Sequence, residues 1–65
     1  MTPTEVLVEE TDLDAGIPMV FRDFGKRVRI AFDPREIDEA TALTLLTAFV
    51  PRLAGAMNVV HRADA

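Results

Sequence analysis

Residues 19–33 read M-V-F-R-D-F-G-K-R-V-R-I-A-F-D, two alternating runs on either side of Gly25-Lys26. A Gly-first pair between such runs is the composition of a type II′ two-residue hairpin, whose twist matches that of the strands it joins. If Phe24 closes the turn opposite Arg27, the register sets Arg22 against Arg29, Phe21 against Ile30 and Met19 against Phe32. Side chains then alternate between faces with a period of two. One face carries Met19, Phe21, Val28, Ile30 and Phe32; the other carries Val20, Arg22, Phe24, Arg27, Arg29 and Ala31. The first of these needs an apolar cover.

The cover is expected on the C-terminal side. Asp33-Pro34-Arg35-Glu36 places an acceptor at N-cap, proline at N1 and glutamate at N3, which satisfies orphan amides and complements the helix dipole. Asp38, with Thr41 at its own N3 position, is a rival cap. Beyond it Leu46, Phe49, Leu53, Met57 and Val60 recur at spacings of three and four, flanked by Ala42, Leu43 and Val50, as one stripe of an amphipathic helix. Because the stripe persists past Pro51, the sequence predicts a long helix that bends there and continues. Two short helices are the competing reading, since proline removes the bond to the Thr47 carbonyl. His61 to Ala65 is read as a frayed tail.

Upstream, Thr4 to Glu10 (T-E-V-L-V-E-E) suits a strand at a sheet edge, and Thr11 to Gly16 gathers turn-formers and acids into a loop. Pro18 sets the following segment extended. The expected fold is therefore a single α+β domain over residues 1–65. It has two layers: a small antiparallel sheet, made of the hairpin and the N-terminal strand, and one long C-terminal helix, kinked at Pro51.

At 65 residues a single core is only marginally able to hold a fold, and small domains lean on disulfides, metals or association. The chain has no cysteine, and its one histidine, His61, lacks a second soft ligand for a tetrahedral zinc site. Association remains, so a homodimer is expected, with a protein partner as a further possibility. The net charge of −4 works against non-specific attraction to phosphate backbones and makes nucleic acid a minority partner. Residues 1–10 show neither a basic leader nor an apolar run of signal-peptide length, and no stretch of eighteen apolar residues occurs. A cytoplasmic chain without membrane contact is the expectation.

Catalytic chemistry finds little to work with. The sequence holds no Ser and no Cys, so His61 has no nucleophile to activate. Pro3 resembles the amino-terminal proline base of very small oligomeric tautomerases, but Met1 and Thr2 precede it. Asp23-Phe24-Gly25 matches the magnesium-binding tripeptide of protein kinases, yet the nucleotide-binding parts that tripeptide needs have no room here. Glu9, Glu10, Asp12 and Asp14 gather oxygen ligands without the spacing of a calcium loop, and a solvated acidic loop is the better reading. No catalytic residue, metal ligand or cofactor is assigned, and the chain is expected not to be an enzyme.

What remains is surface. Arg22, Phe24, Arg27 and Arg29 share one sheet face, the arrangement that phosphates or single-stranded bases would use. If the N-terminal strand joins the sheet, Glu5 and Glu9 can pair instead with Arg22 and Arg29, and this internal pairing is favoured. Thr41, Thr44, Ala48, Arg52 and Gly55 form a small-residue side of the helix, and Leu45 lies off the main stripe. The candidate interaction surface is accordingly Arg22, Phe24, Arg27, Arg29, Leu45, Ala48 and Arg52.

Val28 to Met57 resembles the strand-then-helix segment near the end of condensation domains of nonribosomal peptide synthetases. The matching residues are the alternating strand, Ile37-Asp38-Glu39-Ala40-Thr41 and the Leu45-Leu46 pair. Those domains are several times longer and catalyse with a double-histidine motif that has no counterpart here. The resemblance implies a non-catalytic relative or an accessory piece of a biosynthetic assembly line. A small nucleic-acid regulator using the arginine face and a very small oligomeric enzyme are the alternatives.

Overall fold

The computed structural model describes residues 4–55 and 60–62. Among them the chain forms β1 (Glu5–Glu10), β2 (Met19–Asp23), β3 (Arg27–Phe32), α1 (Glu39–Phe49), a 3₁₀ helix (Pro51–Gly55) and β4 (Val60–Arg62). The strands lie in the order β2-β3-β1-β4, with α1 against one face. The fold is a small α+β unit, as expected, but its sheet is mixed.

The hairpin is as the sequence predicts. β2 and β3 are antiparallel with Met19 opposite Phe32, Phe21 opposite Ile30 and Arg22 opposite Arg29, and the Phe24 amide donates to the Arg27 carbonyl at 2.7 Å. Gly25 has φ +80°, and among the described residues positive φ occurs only at glycines, so Gly25 supplies the left-handed position that the turn needs. Asp23 Oδ1 accepts the Gly25 amide at 2.8 Å and braces the turn.

The N-terminal strand is central, not an edge. β1 pairs in parallel with β3 on one side and with β4 on the other. The eight residues between β1 and β2 are enough to step over the end of β3 and set β2 on its far side. There the Thr11 amide donates to the Phe32 carbonyl and the Asp33 amide to the Pro18 carbonyl, both at 3.0 Å. The physical reason lies in Val6 and Val8, 0% and 1% exposed. A strand whose β-branched residues are this deeply covered is favoured where both of its edges are paired.

The long kinked helix is also corrected. α1 has 11 residues and begins at the rival cap, Asp38, whose carboxylate accepts the Thr41 amide at 2.7 Å. Asp33 instead caps a turn, accepting Arg35, Glu36 and Ile37 amides. At the other end Pro51 stops the helix through its neighbour: the residue before a proline is pushed out of the helical region, and Val50 sits at φ −126°, ψ 78°. The apolar stripe continues because the chain re-enters the core as a 3₁₀ helix, placing Leu53 three residues after Val50 and burying both. Val60, the last residue of the expected stripe, belongs to β4 and pairs with Val6. His61 and Arg62 thus lie in a strand where a frayed tail is expected, and Met57 lies outside the described residues.

The core comprises Val6, Val8, Val28, Ile30, Phe32, Ala42, Leu46, Val50 and Leu53, all within 7% exposure. β3, α1 and β4 form a parallel crossover that carries the helix layer across one face and, among the described residues, leaves the other open. Among the described residues no helix is long and apolar enough to cross a membrane.

Candidate functional site

The open face is built by alternation. β1 contributes Glu5, Leu7 and Glu9; β2 contributes Val20 and Arg22; β3 contributes Arg27, Arg29 and Ala31; β4 contributes His61. The central row across the sheet is Arg22, Arg29, Leu7 and His61. Val20, Arg22, Phe24, Arg29 and Ala31 line a shallow concavity of about 250 Å³. Its floor is apolar and its rim cationic, and Phe24 is 61% exposed beside it.

The ion pairs decide which cations remain available. Arg27 Nε lies 3.2 Å from Glu5, and Arg29 lies 3.2 Å from Glu9. Glu5 therefore takes Arg27, the residue directly opposite it, in place of the expected Arg22. Among the described residues Arg22 and Lys26 are the two cations without an ion pair. Arg22 faces Arg29 across β2 and β3, a like-charge opposition that Glu9 relieves only on the Arg29 side.

The remaining expected surface residues do not join this patch. Arg52 projects from the 3₁₀ helix on the covered side, where it donates to both Asp23 carboxylate oxygens and to the Gly25 carbonyl. It is a clamp between the C-terminal layer and the hairpin turn. The Arg52 hydrogen bonds hold the Asp23 carboxyl below its usual range, helped by the Gly25 amide. Leu45 and Ala48 sit on α1, away from the arginines. Leu45 lies one turn before Phe49 on the same side of α1, and Phe49 stacks on Phe21 of β2 with ring centroids 5.9 Å apart.

Phe49, 65% exposed, is the residue that sequence reasoning placed in the core and the structure places outside. It stacks on Phe21 of β2, which with Met19 is partly buried against the core on the covered face. The signal that could have found it is Pro51, which ends the helix at Phe49.

A second depression, at the carboxyl ends of β1 and β3, is lined by Glu10, Thr11, Asp12 and Pro34. It is braced by Arg35, which bonds Asp33 through two nitrogens and lies 3.4 Å from Asp12. Arg35 hydrogen bonding, from side chain and then backbone, lowers the Asp33 carboxyl, with a smaller contribution from the Leu13 amide. No group of His, Asp and Glu side chains among the described residues is arranged to hold a metal. His61 is exposed on β4, and Pro3 lies outside the described residues. Comparison of the chain with family models, with curated proteins and with solved structures gives no match.

Proposed function

We propose that the protein is a non-enzymatic interaction module that self-associates and presents the open face of its sheet to a protein partner. The observation that carries this reading is the uncovered face: Val20, Arg22, Phe24, Arg29 and Ala31 form an apolar-floored concavity on a sheet that, among the described residues, carries a helix only on the other side. An exposed aromatic and an arginine around a small apolar floor are the residue types that anchor protein interfaces. The shortage of nucleophiles and the isolation of His61 support a role without chemistry of its own. The resemblance of residues 28–57 to condensation domains makes components of peptide assembly lines the first partners to test.

A nucleic-acid regulator would need Arg22, Arg27 and Arg29 together, yet two of the three are paired with glutamates and the chain is acidic overall. It is the weaker reading. Light scattering of the purified chain at micromolar concentrations tests self-association. Titration of labelled protein with candidate partners, for wild type and for Phe24→Ala, tests the face. A strict monomer whose amide resonances on β2 and β3 ignore every partner refutes the reading, as does a salt-sensitive shift of DNA or RNA probes abolished by Arg22→Ala.

A further inference from the structure

The two edges of the sheet are unequally protected. β4 is three residues long and carries His61 and Arg62, with Arg62 bonded to Glu39; short, charged edges resist pairing. β2 is five residues long, unbroken by proline or bulge, and among the described residues its outer side faces no strand. Its hydrogen-bonding parity is fixed at both ends. The Phe24 amide bonds Arg27 and the Pro18 carbonyl accepts from Asp33, so the even residues 18, 20, 22 and 24 point their backbone groups at β3. In an antiparallel ladder the odd residues then point outward. Met19, Phe21 and Asp23 thus present backbone donors and acceptors to the open edge, beside the stacked rings of Phe21 and Phe49.

We propose that the occupant of this edge is the β2 strand of a second copy of the chain, antiparallel about a twofold axis at Phe21. The inference rests on the self-association proposed above and specifies its surface and register. Pairing every residue of β2 requires Phe21 opposite Phe21, Met19 opposite Asp23 and Val20 opposite Arg22 of the second copy. A shift by two residues in one direction sets Arg22 against Arg22, adding a second like-charge opposition to that with Arg29. A shift in the other direction leaves Asp23 beyond the strand.

The Phe21-centred register avoids both, and it places Phe24 opposite Pro18 of the second copy. It also brings the turn carrying Lys26, one of the two unpaired cations, beside the loop carrying Asp14, an acid with no ion pair among the described residues. The two Phe21–Phe49 stacks meet across the axis and cover each other. An eight-stranded sheet results, with the concave open faces of both copies on one side.

Two measurements test it. A synthetic chain carrying N-methyl-Phe21 keeps the side chain and the β2–β3 ladder but loses the outward amide; its dimer dissociation constant rises about tenfold or more, because both central bonds vanish. Because the chain has no cysteine, Val20→Cys and Arg22→Cys chains can be mixed under mild oxidation, and the mixed disulfide forms faster than either homodisulfide. Both positions are exposed, so folding is not at stake. A Val20→Cys homodisulfide forming fastest overturns the register. Dimerisation unaffected by N-methylation overturns the edge while leaving self-association standing, and a monomeric wild type removes both.

Discussion

The two faces of one sheet show what alternation does when only one side has a partner. Val28 and Ile30 are fully buried under the helix layer, whereas Arg27 and Arg29, their immediate neighbours in β3, lie in solvent and pair with glutamates. A single residue of phase separates a position where volume decides stability from one where charge decides binding. The covered face resists change, and the open face is free to serve contacts.

The comparison is tested most severely at its centre. Ile30→Ala removes one of the largest fully buried side chains and should cost about 2–5 kcal/mol, a large share of what a chain this small has. Leu53→Ala should fall in the same range, although it lies beyond the end of α1. Urea unfolding followed by circular dichroism reads both; a loss well under 1 kcal/mol at Ile30 would mean that the helix layer does not hold that face.

Acid should act next, on three carboxylates at once. Asp23 is lowered by Arg52, Asp33 by Arg35, and Asp38 by its hydrogen bonds to Thr41, all from an ordinary value of 3.8. Each is more easily ionised folded than unfolded, so each contributes stability that is present above the unfolded value and lost as pH falls through the lower folded one. The melting temperature should therefore hold steady above pH 5 and decline from about pH 4 downward. Asp38→Ala should reduce that decline and also lower stability at neutral pH through loss of the cap.

How much of this was legible from residues alone depends on which contacts were local. The hairpin, its register and both faces follow from alternation around Gly25, because a two-residue turn fixes the pairing of its own strands. The position of β1 does not, since nothing in Thr4–Glu10 states whether the next connection steps over a neighbour. The helix end was written in Val50-Pro51 and was outweighed by an apolar stripe that belongs in fact to a helix, a 3₁₀ turn and a strand in succession. Of the candidate surface, Arg22, Phe24 and Arg29 line one concavity. Arg27 lies on the same face and, like Arg29, is paired with a glutamate, and Arg52 serves the covered side because its partner, Asp23, is 29 residues away and invisible to any local pattern.

Phe49→Ala sharpens the contrast on the helix side. Phe49 keeps its stack on Phe21 but is mostly exposed, so its loss should cost about 1 kcal/mol, clearly less than Leu53→Ala. Equal costs would return Phe49 to the core.

The smallest effect should come from the open face itself. Arg29→Ala removes an ion pair whose partners are 54% and 33% exposed, and water screens such pairs to a few tenths of a kcal/mol. The same substitution also relieves the opposition with Arg22, so the net change should lie within about 0.5 kcal/mol of zero. A double-mutant cycle with Glu9→Gln isolates the pair from the repulsion. Because β3 is shared by both faces, the pairing of Arg29 with Ile30→Ala is the decisive arm. If the two changes add in the double variant, the faces are energetically independent, and the arginine face can change to suit a partner without disturbing the core beneath it.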